Sequence, residues 1–275
     1  MLTRLARAVV ILAVAALPGA AQSDSTHVGP LFTYRDAILA ASFGVTARLI
    51  HPLDDYYAQR LQDSSTQANA KLQTLATFVR RTAAPGSLII GGSMYAVGRL
   101  AKNQKLTSLG LHGTEALIVG EVVASALKGA VGRQRPYVRP RDANNYQLFR
   151  GVKAGDEFRS FPSGHAVAAF AAAAAVTAET SRNDPSSTWY VAPVMYGGAA
   201  LVAVSRMYNN AHWASDVLVG AGIGTFAGLK VVRFNDSHPG NRVDRIFLSA
   251  TLVPNEAGGR ELHWSIIPGA LLGQR

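Results

Sequence analysis

The chain has 275 residues, 48% hydrophobic and 16% charged, with no cysteine. That suits one large domain or a domain with an appendage, and it excludes disulfides, a thiolate nucleophile and a cysteine-ligated metal. Its 27 Lys and Arg against 17 Asp and Glu give a formal charge of +10, which favours anionic partners (phosphates, nucleic acid or an acidic membrane surface) without choosing among them.

Residues 1–21, MLTRLARAVVILAVAALPGAA, have the pattern of a signal peptide. Arg4 and Arg7 make a basic start, Ala8 to Leu17 an apolar stretch of ten residues, and Gly19-Ala20-Ala21 a small-residue cleavage site. The apolar stretch is short for a membrane span, so cleavage and export are expected, with a retained anchor as the alternative. Residues 22–82 form an N-terminal helical region: 34–50 has helical apolar spacing, and 54–81 is polar with a helical stretch near NAKLQTLATFVRR. Residues 83–240 are expected to be the catalytic bundle. They hold an apolar segment at 87–101, a long helix over 106–127 with Glu115 and Glu121, and a loop-like stretch at 129–162. Helices over 164–180, 188–205 and 213–232 follow. The expected fold is all-α, a bundle of about six core helices with its active site at one end. Residues 241–275 read as a C-terminal β-like extension, because RIFLSATLVP and ELHWSIIP flank the turn signal NEAGG and predict a hairpin.

Pro185–Ser205 is free of charge for long enough to cross a membrane, Thr82–Gly98 is borderline, and Gly164–Ala178 and Val217–Leu229 are short. If all three helices before residue 128 crossed, an exported N-terminus would leave the next loop in the cytoplasm. Arg35, Asp36 and Arg48 mark 34–50 as the helix that does not cross. The expectation is an exported, periplasmic or envelope-associated bundle, with an integral membrane enzyme as the alternative.

Three blocks carry chemistry. In KGAVGRQRP, Lys128 and Arg135 stand where a helix gives way to a loop; each alone is ordinary, a helix-end cation and an Arg before Pro136. The surrounding stretch 128–159, however, holds eight basic and three acidic residues, a net of +5, and such a concentrated excess suits an anion site better than a solvated face. In SFPSGHAVAAF, Ser163 is placed to cap a helix, and the unpaired N–H groups of Gly164 and His165 at its positive end offer an anion site. Gly164 permits close backbone approach. In SRMYNNAHWASD, His212 and Asp216 are four apart and would share a helix face, so that Asp216 accepts from one imidazole nitrogen and leaves the other as a lone pair. Arg206 supplies a fork of donors suited to phosphate oxygens.

All three blocks lie at helix ends beside loops. Together they match, in order, K-x6-RP, PSGH and SR-x5-H-x3-D, so the chain resembles the type 2 phosphatidic acid phosphatase / vanadium haloperoxidase superfamily over roughly residues 85–232. The resemblance implies that His212 attacks phosphorus and forms a phosphohistidine. Asp216 would orient His212, and Lys128, Arg135, Arg206, Ser163 and the Gly164 amide would bind the non-bridging oxygens. His165 would protonate the leaving oxygen and then deprotonate water. It implies a phosphatase acting on phosphomonoesters or pyrophosphates, with lipid phosphate, undecaprenyl pyrophosphate and soluble esters all open. No metal and no cofactor are expected. The phosphorylated substrate is the expected partner, without nucleic acid; oligomeric state is not specified. Two rivals stand beside it: a vanadium-dependent haloperoxidase, with vanadate in the same cradle, and a non-enzymatic envelope protein that binds anions or acidic lipid.

Overall fold

The computed structural model describes residues 31–83, 85–153, 155–238, 241–248, 251–254 and 260–263. The signal-peptide expectation for 1–21 lies outside them. The main helices are α1 (Tyr34–Ile50), α2 (Asp54–Leu61), α3 (Ala70–Ala83), α4 (Gly86–Leu100), α5 (Gln104–Val131), α6 (Gly164–Asn183), α7 (Thr188–Tyr208), α8 (Ala214–Ser237) and α9 (Arg242–Leu248). The chain divides into two compact units, Met1–Val232 and Arg233–Arg275. The all-α expectation holds for the first.

Local sequence explains the helix ends. Asn103 caps α5, its side chain accepting from Leu106 N–H, and Ser163 caps α6, its Oγ accepting from Ala166 N–H at 3.5 Å. α5 stops at Gly132, whose φ of 58° is left-handed and whose missing side chain makes room for the Gln147 carbonyl. This turn sends the chain into the loop that carries Arg133 and Arg135.

The core is built around α6, which packs against α5 and α7. Its alanines explain how closely. Ala166, Phe170, Ala173 and Ala174 pack with Tyr196, Ala199 and Ala203 of α7 and with Val217 and Ala221 of α8, while Ala168, Ala171 and Ala175 meet Ala116 and Leu117 of α5. Glycines four apart on α8 bring it still nearer. A Cβ on Gly220, Gly224 or Gly228 would lie 2.6, 2.3 or 2.6 Å from the carbonyl oxygens of Ser163, Val167 and Ala171, so this face of α8 lies directly on the α6 backbone. That approach brings the start of α8 beside the start of α6.

Among the described residues, two helical stretches are long and apolar enough to cross a membrane: Pro185–Tyr208, with mean hydropathy 1.2, and Ala214–Ser237, with 1.5. The second is longer than the expected 213–232 because the helix continues through Asn235 and Asp236. Large apolar side chains also face outward, among them Leu88 and Ile89 of α4, Val119 and Val122 of α5 and Val194 of α7.

In the second unit the expected hairpin is corrected at its start, since Arg242–Leu248 is helical. Asn241 begins that helix, its Oδ1 accepting from the N–H groups of Val243 and Asp244, and this cap overrides the strand preference of Ile246 and Phe247. Thr251–Pro254 and Arg260–His263 pair antiparallel, with Leu252 opposite Leu262. The turn at 255–259 and residues 264–275 lie outside the described residues.

Candidate active site

The three sequence blocks meet at one end of the bundle. α5 delivers Lys128 in its last turn, the cap of α6 delivers Ser163, Gly164 and His165, the last turn of α7 delivers Arg206, and the α7–α8 turn delivers His212. His212 is buried. Its Nδ1 lies 2.7 Å from the Ser160 carbonyl, and a carbonyl can only accept, so Nδ1 carries the proton. Nε2 is then the lone-pair nitrogen. Arg135 Nη1, always a donor, stands 3.3 Å from it, so both sides of the ring require the same tautomer.

Asp216 is placed differently from the expectation. His212 precedes α8 instead of lying on it, so the two do not share a helix face. Asp216 Oδ2 is 3.9 Å from His212 Nδ1, beyond hydrogen-bond range. Asp216 accepts instead from Ser160 Oγ at 2.5 Å, from Trp213 N–H at 3.0 Å and from Arg133 Nη1 at 2.6 Å. It therefore orders the two backbone segments beside the imidazole, and the direct contact with Nδ1 belongs to Ser160.

The cations differ in how they are held. Arg135 is tied on its outer side, with Nε on the Asp156 carbonyl at 2.8 Å, Nη2 on Asp156 Oδ1 at 2.7 Å and Nη1 on the Ala211 carbonyl at 3.0 Å. Arg206 is 7% exposed, and its Nε and Nη1 are buried without a hydrogen bond. Buried guanidinium donors without partners are costly unless an acceptor arrives, and an oxyanion is such an acceptor. Over Gly164 a Cβ would meet Lys128 Nζ at 2.5 Å and the Glu121 carboxylate at 3.0 Å. The missing side chain thus admits the Lys128 ammonium, a use for Gly164 beyond the expected close approach of an anion.

The field at this end is strongly positive. Burial, then the charges of Arg206, Lys128, Arg80 and Arg135, pushes His165 down from 6.5 to about 3. Burial, then Arg135, Arg206 and Lys128, holds His212 well below its ordinary value. Both rings are neutral at pH 7 and face fixed cations, an arrangement that can receive a phosphate and present a lone pair to it.

Sequence reasoning missed several contributors. Arg80, on α3, adds its charge to the field at His165 and Arg206, but its stretch carries no motif. In the sequence, Asp156 and Arg133 register only as charges within the basic stretch 128–159. Ser160 acts through its carbonyl, which residue type does not reveal.

The geometry agrees with three comparisons. The PAP2 superfamily model matches residues 111–238. The lipid A 1-phosphatase of Porphyromonas gingivalis is 34% identical over 112 residues, 41% of this chain and 22% of that protein, so the chain spans about a fifth of that relative's length. A transmembrane PAP2-type phosphatidylglycerolphosphate phosphatase from Bacillus subtilis has the same fold, with TM-score 0.56 and 21% identity over 76% of this chain and 100% of that one. All three motif blocks fall within residues 111–238, the part of the chain that is similar to the PAP2 superfamily.

Proposed function

We propose that the protein is a membrane-associated phosphatase that removes phosphate from a lipid phosphate through a phosphohistidine on His212. One observation carries the choice of a lipid over a soluble ester. A cavity of about 490 Å³ lies among α3, α4, α5, α6 and α7, lined almost wholly by apolar side chains. Its lining follows the helix faces that end in the site. On α6, Ala169, Ala172 and Val176 stand four, seven and eleven residues beyond His165. On α7, Val202, Ala199 and Met195 stand four, seven and eleven before Arg206, and on α5, Leu117 stands eleven before Lys128. Residues so spaced share a face, so an apolar tail laid along them carries its head to the cations.

In this reading Lys128, Arg135, Arg206, Ser163 and the Gly164 and His165 amides hold the phosphoryl oxygens. His212 Nε2 attacks phosphorus while Ser160 holds Nδ1–H and spreads the positive charge that forms. A bound phosphate offsets the cations that depress His165, raising its proton affinity, so His165 can protonate the leaving alcohol and then activate water. These fixed cations carry the charge stabilisation, and no metal is required. The apolar outer faces and the two candidate spans favour a bilayer around the bundle, and both relatives are phosphatases named for lipid substrates.

The test is phosphate release by the full chain in detergent from a lipid phosphate and from a soluble ester with the same head, with and without EDTA. Preference for the lipid, survival of activity in EDTA and an acid-labile phosphoryl adduct that disappears in His212→Ala are expected. Equal rates on both substrates would remove the lipid assignment, and an adduct that persists in His212→Ala would remove the nucleophile.

A further inference from the structure

The N-terminal helical region lies outside the family match, yet one of its side chains is bonded into the site. Asp54 opens α2 and is 1% exposed. Its Oδ1 accepts from Ser215 N–H at 2.9 Å, and its Oδ2 from Ser215 Oγ at 2.6 Å and from Arg133 Nη2 at 2.7 Å. Arg133 has no exposed surface. Besides Asp54 it binds Asp216 Oδ1 at 2.6 Å, Ser215 Oγ at 2.8 Å and the Ala143 carbonyl through Nε and Nη2 at 3.1 and 2.7 Å. The rings of Tyr146 and Trp213 stand 5.0 and 5.4 Å from its Cζ.

This guanidinium joins two buried carboxylates, an assembly tolerable only with every group bonded. Its outward end is Asp54. Its inward end is Asp216, whose other oxygen takes Ser160 Oγ and Trp213 N–H. Ser160 supplies the carbonyl that holds His212 Nδ1, its own N–H donates to the Arg133 carbonyl at 3.0 Å, and Trp213 is the next residue after His212. Asp54 thus reaches the imidazole through Arg133, Asp216 and Ser160, with a hydrogen bond at each step.

We propose that Asp54 and Arg133 are positioning residues of the reaction: they lock Asp216, and through it they aim His212 Nε2 at phosphorus. The proposal rests on His212 being the nucleophile of the phosphatase reading. It makes the region before the family match part of the catalytic apparatus. Most of the phosphate cradle is held by other bonds: Arg135 is anchored by Asp156 and Ala211, Arg206 Nε and Nη1 have no hydrogen-bond partner, and Ser163 meets the cluster only through its N–H, which donates to the Asp216 backbone carbonyl at 3.1 Å. Disturbing Asp54 should therefore mis-aim the attack, where an error of about 1 Å costs roughly 10²-fold, while phosphate still binds.

The experiment compares wild type with Asp54→Asn, each as full chain in detergent. Asn offers one acceptor oxygen where Asp54 uses two. The readouts are kcat, KM, the inhibition constant of inorganic phosphate, and the melting temperature. A fall in kcat of about 10- to 100-fold, with the phosphate inhibition constant within about twofold, supports the proposal. Unchanged kcat in folded protein overturns it, as does a kcat loss matched by the loss of folded molecules. Should Asp54→Asn fail to fold, Asp54→Glu keeps the charge and moves it by one methylene, and the same outcomes decide. Wild-type protein without phosphatase activity would sink the functional reading itself, an outcome distinct from either.

Discussion

Arg135 Nη1 stands 3.3 Å from His212 Nε2, the nitrogen left unprotonated by the Ser160 carbonyl. A cation this close discourages protonation of the ring, and in the proposed reaction it marks where a phosphoryl oxygen would sit beside Nε2.

Acid should destabilise the protein through its two site histidines. His165 is held at about 3 and His212 well below 6.5 in the folded chain, whereas the unfolded chain takes up protons on both below about 6.5. The unfolded state then binds more protons, so stability is present above about 6.5 and lost as pH falls from there towards 3. Melts in detergent between pH 7 and 5 should show a falling melting temperature. His165→Asn should remove about one proton from that dependence; an unchanged slope would show that His165 titrates alike in both states.

Arg206→Lys should weaken phosphate binding. A single ammonium cannot replace a planar fork whose Nε and Nη1 have no other partner. The inhibition constant for inorganic phosphate should rise about tenfold or more, with melting behaviour close to wild type. A constant unchanged from wild type would remove Arg206 from the cradle.

Arg80→Ala should act more mildly, because Arg80 is exposed and contributes only its field at His165 and Arg206. KM for an anionic substrate should rise by about two- to fivefold at low salt, and the difference should shrink as salt is added. A difference insensitive to salt would point to a packing role for Arg80.

Gly224→Ala should destabilise by about 1–3 kcal/mol, because its Cβ would meet the Val167 carbonyl at 2.3 Å and Ala171 N at 2.8 Å. Activity per folded molecule should fall too, since α6 carries His165 and α8 carries Asp216. Gly197→Ala is the control: nothing lies within 4 Å of its Cβ, and it should be neutral or slightly stabilising. Equal behaviour of the two variants would refute the close contact of α6 and α8.

Much of the fold was legible because apolar period and caps are local signals. The helix expected at 34–50 has those bounds, and the helix starting at 188 begins there. Ser163 as a cap and the convergence of Lys128, His165, Arg206 and His212 also followed from local pattern. What failed depended on distance along the chain or on backbone chemistry. Asp54 and Arg133 are separated by 79 positions, and no periodicity links them. The four-residue spacing of His212 and Asp216 suggested a helix face, but α8 begins only at Ala214, so the orienting bond fell to a carbonyl that every residue possesses.

One helix face joins the His165 ring to the apolar cavity, and in the phosphatase reading that turns α6 into a ruler. With a rise of about 1.5 Å per residue, Val176 stands roughly 16 Å from His165 along the axis. A hydrocarbon tail seated on that face is measured from the scissile phosphorus outward. Affinity should climb by up to about 0.8 kcal/mol for each methylene until the tail passes Val176, and flatten beyond it. Chain length, as well as head chemistry, would then set which molecules the enzyme selects.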